Sequence, residues 1–240
     1  MIPIKDHNPA RRRAIIVPSL LVFNAVVFLW ELSLGARLHE AVVFFGVVPR
    51  FFTDAELREQ VGLFHLAQSL ITTMFFHGGW FHLLANMWTL YIFGDNVEDR
   101  LRPGRFIALY LLAGIAASAL QIVAHPNSPI PVIGASGAIA GVMGAYLRLY
   151  PLARIDMLIP PFFFGPFFRI SAYIFLLYWL GLQFFNGFIT DPDAAGGGVA
   201  WWAHVGGFGM GYLLCHFLTL GDGRGDTYQS PSGRWRPSRR

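Results

Sequence analysis

The chain has 240 residues, of which 55% are hydrophobic and only 13% are charged, against roughly 25% charged in soluble domains. This composition excludes a disordered chain, and it argues against a soluble globule because so much apolar surface could not be hidden from water. The single cysteine, Cys215, excludes an internal disulfide.

Six apolar stretches are long enough, or nearly so, to cross a bilayer, which takes about 20 residues. They are approximately Ala14–Leu34, Trp80–Val97, Phe106–Ala124, Gly134–Tyr150, Phe167–Ile189 and Ala200–Leu220. The predicted fold is an all-α, six-helix membrane bundle over residues 14–220. A cytoplasmic N-terminus at 1–13 precedes it, and a disordered cytoplasmic tail at 221–240 follows. The first stretch exceeds a signal-peptide core and precedes no small-residue cleavage site, which indicates a retained anchor.

The connection between the first two stretches, from Gly35 to about Gly79, is too long for a plain loop and has apolar patches. Thr53-Asp54-Ala55-Glu56 matches a capping box, which predicts the start of a short helix. We expect this first loop to lie in the membrane interface, partly embedded.

The basic residues indicate the orientation of the bundle. Fifteen of the 18 Lys and Arg residues lie in the N-terminus, the second-to-third connection, the fourth-to-fifth connection and the tail. Only Arg37, Arg50 and Arg58 lie on the other side, in the first loop. Because cytoplasmic loops are enriched in basic residues, both termini are expected in the cytoplasm. The net positive charge then follows from the topology and does not require a nucleic-acid partner. The short termini favour a location in a prokaryotic inner membrane.

Under this topology the second, fourth and sixth helices start at the outer face, and each carries a polar residue near its start. Asn86, Ser136 and His204 would lie roughly 3–9 Å below the outer ends of their helices, at about 1.5 Å per residue. His82 is four residues before Asn86 and therefore projects from the same face. Three helices thus bring reactive groups to one leaflet at similar depth.

The spacing around Ser136 favours a nucleophile. Ser136 lies in the first turn of its helix, where unpaired backbone N–H groups could stabilise negative charge on oxygen. Gly137 with Gly141, and Gly207 with Gly211, are Gly-x-x-x-Gly pairs that allow two membrane helices to approach closely. Taken singly, however, such a Ser is most often only a helix cap, and a buried His most often only bonds a neighbouring helix.

Three segments together resemble the rhomboid intramembrane serine proteases. His77-Gly78-Gly79-Trp80-Phe81-His82-Leu83-Leu84-Ala85-Asn86 resembles the second-helix signature of that family. Gly134-Ala135-Ser136-Gly137 followed by Gly141 resembles its nucleophile motif, and Ala203-His204-Val205-Gly206-Gly207 with Gly211 resembles its general-base helix. The motifs occur in the family's order.

The resemblance implies a serine endopeptidase that uses a Ser–His dyad, with Ser136 as nucleophile and His204 as general base. It implies that Asn86 and His82, with the Ser136 amide, stabilise the oxyanion, and that His77 supports this region. Expected partners are the lipid bilayer and transmembrane-helix substrates with small or helix-destabilising residues near their outer ends; no cofactor or metal is expected. Candidate gate and cap elements are the fifth helix, with Phe175, Phe184, Phe185 and Phe188, and the Thr190–Trp202 loop.

The sequence departs from the family at two places. Ala140 stands where some members carry Tyr or Phe under the catalytic His, so His204 must be oriented by other contacts, with Trp201, Trp202 or Met143 as candidates. Gln68-Ser69 stands where many members carry Trp-Arg.

Two alternatives stay open. A rhomboid-like protein that binds membrane helices without cutting them would share the fold, although its expected mark is loss of the Ser or His. A small transporter would favour internal repeats and charges near the midplane, whereas Glu31, the only clear acid within a span, lies near its outer end. A zinc protease motif such as His-Glu-x-x-His is not present in the sequence.

Overall fold

A computed structural model describes residues 2–8, 10–158, 168–190 and 198–220. Its described part is mostly helical. The helices are α1 (Ile16–Ser33), α2 (Leu38–Phe45), α3 (Pro49–Thr53), α4 (Ala55–Val61), α5 (Leu63–Thr72), α6 (Trp80–Leu101), α7 (Pro103–Ala124), α8 (Ser136–Leu149), α9 (Ala172–Ile189) and α10 (Trp201–Thr219). The predicted tail at 221–240 lies outside the described residues.

The six long helices correspond to the six predicted spans. Among the described residues, three of them are long and apolar enough to cross a membrane by length and composition: α1, α7 and α9. The other three are α6, α8 and α10, which carry the polar residues singled out above. The chain is thus an integral membrane protein with three clear candidate spans, and the six-span count stays a prediction.

Helix α8 lies at the centre of the bundle. Ten consecutive residues, Gly137–Tyr146, are buried, and the helix packs against α6, α7, α9 and α10. A buried helix with so many Gly and Ala residues has little apolar surface to offer lipid. This explains why α8 is shorter and less hydrophobic than a span that faces the bilayer.

The first loop folds into four short helices, α2–α5. The cap of α4 differs from the predicted capping box by one residue, because Asp54 and not Thr53 is the N-cap: its carboxylate accepts the backbone N–H groups of Glu56 and Leu57. Thr53 instead ends α3 and donates its hydroxyl hydrogen to the carbonyl of Pro126 at 2.5 Å. The interfacial location of this loop stays a prediction.

Three strands lie outside the all-α prediction. They are β1 (Ile2–Asp6), β2 (Arg154–Leu158) and β3 (Phe168–Ser171), and they form an antiparallel sheet in the order β1-β2-β3. Ile2 pairs with Leu158 and Asp6 with Ile155, while Met157 pairs with Phe168. Residues 2–6, predicted only as a cytoplasmic terminus, therefore add a strand to the connection after α8.

Side chains from distant helices satisfy helix ends that have no local cap. The Glu98 carboxylate of α6 accepts the backbone N–H groups of Ile15, Ile16 and Val17 at 2.7–2.9 Å at the start of α1. An anionic group at a helix N-terminus also interacts favourably with the helix dipole. This contact joins the start of α1 to the end of α6.

Candidate active site

Ser136 and His204 meet between two central helices. The Ser136 Oγ atom lies 2.8 Å from Nε2 of His204, which is within hydrogen-bond range. Ser136 is the first residue of α8, and His204 is the fourth residue of α10. His204 is buried and Ser136 is half-buried.

Glycine pairs bring these two helices into backbone contact. A Cβ atom built on Gly207 would collide with the carbonyl oxygen of Gly137, and one built on Gly211 would collide with that of Gly141. The close approach predicted for the two Gly-x-x-x-Gly pairs is therefore present. It is this approach that sets the distance between Ser136 and His204.

The second imidazole nitrogen of His204 contacts a residue that the sequence analysis did not single out. The Nδ1 atom lies 2.8 Å from Oε1 of Gln183, a buried residue of α9. Because the Gln183 Nε2 donates to the carbonyl of Trp179 at 3.0 Å, its Oε1 faces the imidazole. An amide oxygen only accepts hydrogen bonds, so Nδ1 carries the proton and Nε2 is left to accept the Ser136 hydroxyl.

The rings around His204 differ from the predicted set. The Trp179 ring lies 5.6 Å from the imidazole between centroids, and the Trp201 ring meets it edge-on at 6.3 Å. The indole N–H of Trp202 donates to the carbonyl of Gly187. Met143 is buried in the hydrophobic core.

The start of α8 presents free backbone donors beside Ser136. The first backbone hydrogen bond within this helix runs from Ile139 to Ala135, so the helix itself does not use the N–H groups of Ser136, Gly137 and Ala138. Such groups can bind an anion or a developing oxyanion at the helix end.

His82 packs against the turn that leads into α8. A Cβ on Gly134 would lie 2.6 Å from the His82 Nε2, and Gly134 has a φ of +129°, so only glycine suits this position. The His82 Nδ1 accepts the backbone N–H of Gly78 at 3.3 Å. Its Nε2 therefore carries the ring hydrogen and is a donor on the side of Ser136.

Asn86 lies one turn further along α6 than His82. It is buried, and its side-chain Nδ2 has no hydrogen-bond partner among the residues that the structure describes. Buried amide groups normally have partners, so a buried donor left without one is unusual.

His77 is held by an acid from the first span. The backbone N–H of His77 lies 3.2 Å from each carboxylate oxygen of Glu31, which is buried on α1. The His77 ring packs edge-on against His82 at 5.2 Å. Glu31 thus anchors the segment before α6, a contact that the sequence analysis did not predict.

Gln121 anchors the start of α10, the helix of His204, as Glu31 anchors the segment before α6. Its side-chain oxygen accepts the backbone N–H of Ala203 at 3.2 Å, which ties the start of α10 to α7. Both Gln121 and Gln183 are amides within otherwise apolar spans, and such polar residues commonly face the interior of a membrane bundle. An amide within an apolar span is therefore the sequence feature that could have identified Gln121 and Gln183.

Ser136 and His204 lie at the end of the bundle away from the sheet and from Arg105. β1 pairs with the strand after α8, and the Arg105 guanidinium at the start of α7 donates to the carbonyl of Leu218 near the end of α10 at 2.8 Å. These contacts involve the C-terminal ends of α8 and α10, whereas Ser136 and His204 lie at the N-terminal ends of the same two helices.

The predicted gate and cap elements divide into two groups. Phe175 is buried and stacks on Phe93 at 6.2 Å, so it belongs to the core. Phe184 and Phe188 pack edge-on against Trp202 at 5.8 and 4.9 Å, which joins the C-terminal end of α9 to the start of α10. Residues 191–197 of the predicted cap lie outside the described residues.

Among the described residues, no group of three or more His, Cys, Asp or Glu side chains could hold a metal ion.

Comparison with known proteins identifies relatives over most of this bundle. A family model described as the rhomboid domain matches residues 65–220. The chain is 28% identical over 214 residues to the mitochondrial Rhomboid protein 1 of Saccharomyces cerevisiae, covering 85% of this chain and 53% of that protein. It is 31% identical over 150 residues to the human mitochondrial presenilin-associated rhomboid-like protein, covering 61% of this chain and 36% of the relative.

A bacterial relative carries a protease name. The chain is 37% identical over 124 residues to the Rhomboid protease GluP of Bacillus subtilis, covering 50% of this chain and 21% of that protein. The chain spans between about a fifth and about a half of the length of these three relatives.

Proposed function

The chain belongs to the rhomboid family, and we propose that it is an intramembrane serine endopeptidase that cuts transmembrane helices near their outer ends. The observation that carries this proposal is the 2.8 Å contact between the Ser136 hydroxyl and the His204 Nε2. A nucleophile within hydrogen-bond reach of a base, which is in turn oriented by a third group, is the general pattern of nucleophilic catalysis.

In the proposed reaction Ser136 attacks the scissile carbonyl carbon while His204 Nε2 accepts the hydroxyl proton. The tetrahedral intermediate collapses, the C–N bond breaks, and His204 returns that proton to the leaving amine. Water then attacks the acyl-enzyme while His204 accepts a proton from it; the C–O bond to Ser136 breaks, His204 returns the proton to the Ser136 Oγ, and the new carboxyl product leaves. No cofactor or metal enters these steps.

We assign three kinds of donor to the oxyanion. The Ser136 backbone N–H lies at the free end of α8, the His82 Nε2–H faces the same turn, and the Asn86 Nδ2 has no partner among the described residues. All three are neutral, so they stabilise developing negative charge without a permanent buried cation.

The geometry also suggests what a substrate must do. A peptide carbonyl within an intact helix is already hydrogen-bonded, so the substrate backbone must unwind before Ser136 reaches it. Small or helix-destabilising residues lower that cost. We therefore assign as substrates transmembrane helices with such residues near their outer ends.

The proposed topology has six crossings with both termini in the cytoplasm. It is supported by the basic residues at one end of the bundle and by the pairing of β1 with β2, which requires an even number of crossings between them. The site then lies below the extracytoplasmic face, where water can reach the acyl-enzyme.

The test uses the full chain reconstituted with a synthetic leucine-rich transmembrane helix of about 20 residues that has an Ala-Gly pair near its outer end. We expect Ser136→Ala and His204→Ala to abolish cleavage while the protein stays folded. Matched controls are Ser33→Ala and His39→Ala, which alter exposed residues outside the site and should leave cleavage unchanged. Undiminished cleavage by the Ser136→Ala protein would refute the proposal.

Labelling with a fluorophosphonate separates the enzyme from its alternatives. We expect one covalent adduct on Ser136, mapped by mass spectrometry, and none in the His204→Ala protein. A wild-type protein that binds the test helix but neither labels nor cuts would be the non-proteolytic alternative. Uptake of a solute by vesicles without either reaction would support a transporter.

A further inference from the structure

We propose that Gln183 is a positioning residue, whose side-chain oxygen holds His204 in the tautomer and ring orientation that leave Nε2 free to accept the Ser136 proton. The inference rests on the proposed function, and it adds a third member, from α9, to the pair supplied by α8 and α10. The observation that carries it is the 2.8 Å contact between Gln183 Oε1 and His204 Nδ1.

The orientation of the Gln183 amide is itself fixed. Its Nε2 donates to the carbonyl of Trp179 one turn earlier in α9, at 3.0 Å. Reversing the amide would place an oxygen against the Trp179 carbonyl oxygen and lose that hydrogen bond, so the bond to Trp179 fixes Oε1 on the side of the imidazole. Gln183 is 4% exposed, so water does not readily replace either partner.

This acceptor determines which nitrogen of His204 acts as the base. A neutral imidazole has one N–H group and one acceptor nitrogen. With the hydrogen on Nδ1 and bonded to Gln183, the lone pair lies on Nε2, 2.8 Å from the Ser136 Oγ. The opposite tautomer would direct an N–H group at Ser136 and could not accept its proton.

The rings around His204 do not provide this function. Trp179 and Trp201 contact the imidazole through their ring faces and edges, which restrict its tilt but do not select a tautomer. On α6, His82 is the titratable side chain that interacts electrostatically with His204. Gln183 is therefore the contact that selects the tautomer. It orients His204 in a protein that has Ala140 where some family members carry an aromatic side chain under the catalytic histidine.

The contact also persists through the proposed cycle. When His204 accepts the Ser136 proton it becomes an imidazolium with two N–H groups, and Nδ1–H still donates to Gln183 while Nε2–H faces the leaving amine. No group has to move between the two protonation states, which is what preorganisation requires.

Two substitutions of Gln183 test this role. Gln183→Met keeps the length of the side chain and removes the acceptor, and we expect it to lower kcat by roughly 10–100-fold with little change in KM. A misplaced tautomer in a soluble serine protease costs roughly 10⁴-fold; the expected loss is smaller because a neutral amide contributes no charge. Gln183→Glu keeps an acceptor, and we expect it to recover most of kcat at alkaline pH and to move the acidic limb of the pH profile to higher pH, because a carboxylate stabilises the imidazolium.

Asn186→Leu is the matched control. Asn186 is another amide on α9, and its Nδ2 bonds the carbonyl of Leu182 one turn earlier at 2.8 Å, as Gln183 bonds Trp179. We expect its kcat, KM and pH profile to match the wild type. If Asn186→Leu lowers kcat as much as Gln183→Met does, the effect belongs to α9 as a whole and the proposal is wrong.

A spectroscopic measurement covers the case in which a Gln183 variant does not fold. In the wild-type protein with ¹⁵N-labelled histidine, the signals missing from His204→Ala belong to His204. We expect them to show a protonated Nδ1 and an unprotonated Nε2 at neutral pH. The reverse tautomer, or wild-type kcat and pH profile in a folded Gln183→Met protein, would overturn the proposal. The proposed function fails separately, through cleavage by Ser136→Ala.

Discussion

Gly207 offers the most direct test of how the bundle positions its reactive groups. This residue lies one turn after His204 on α10, and its Cα approaches the carbonyl of Gly137, the neighbour of Ser136. A methyl group at position 207 would occupy the space of that carbonyl oxygen. Because the obstacle is backbone and not a flexible side chain, the two helices must separate to accept Gly207→Ala.

The size of the effect follows from the packing distances. Ordinary contact with a Cβ begins at 3.4 Å, and the present approach is far closer. Separating α8 from α10 by about 1 Å would stretch the 2.8 Å bond between Ser136 and His204 beyond about 3.6 Å, where no hydrogen bond remains. Overpacking of a core costs about 1–3 kcal/mol, and a rigid backbone obstacle should place Gly207→Ala at the upper end of that range.

Gly209 on the same helix is the matched control. It is exposed, and a Cβ there would meet nothing within 4 Å. We expect Gly209→Ala to match the wild type within about 1 kcal/mol in thermal unfolding in detergent, since alanine favours a helix over glycine. Gly207→Ala should unfold at clearly lower temperature and lose most of its cleavage and fluorophosphonate labelling. Equal stability and labelling rates for the two variants would refute the claim that close backbone contact sets the geometry of the site.

Two further predictions concern the oxyanion side of the site and the N-terminal strand. Asn86→Ala should lower kcat about 10²–10³-fold with little change in KM, the usual effect of losing one oxyanion donor, whereas an unchanged kcat would remove Asn86 from the mechanism. Burial raises the pKa of Asp6 from 3.8 to about 7, although the Tyr146 hydroxyl that donates to it at 2.8 Å lowers that pKa. Between about pH 4 and pH 7 the folded state therefore holds a proton that the unfolded state has lost, and docking of β1 should weaken as the pH rises through this window. Asp6→Asn should remove that dependence, measured as protection of residues 2–6 from proteolysis at pH 5 and pH 8, and an unchanged pH response would contradict the assignment.

Much of the helical framework could be predicted from local patterns. All six long helices overlap the apolar stretches identified in the sequence, because a run of apolar residues needs no information from elsewhere in the chain. The glycine pairs predicted which helices approach most closely, since small residues four apart mark the face that packs. These are properties of single segments, which a sequence displays directly.

The sheet and the caps depend on pairs of distant residues, and a single sequence does not display such pairs. Strand β1 has only five residues and forms through its pairing with β2, about 150 positions later. Glu98 caps α1 and Gln121 caps α10, each from more than 80 residues away along the chain. For the same reason the contact between Gln183 and His204 was not predicted, whereas Trp201, three residues before His204 along the chain, was a candidate.

The choice of an amide as the partner of His204 follows from where the site lies. A carboxylate beside a buried imidazole would place a permanent charge among apolar residues, at a cost of several kcal/mol unless it was paired. Gln183 accepts the same hydrogen bond without that charge, and its Nε2 donates to the helix carbonyl of Trp179. The oxyanion donors are neutral as well, so in the proposed mechanism charge separation arises only while an imidazolium and an oxyanion exist together. A site that is uncharged at rest can lie beside lipid at little cost, and this is a physical reason for a histidine oriented by an amide in this protein.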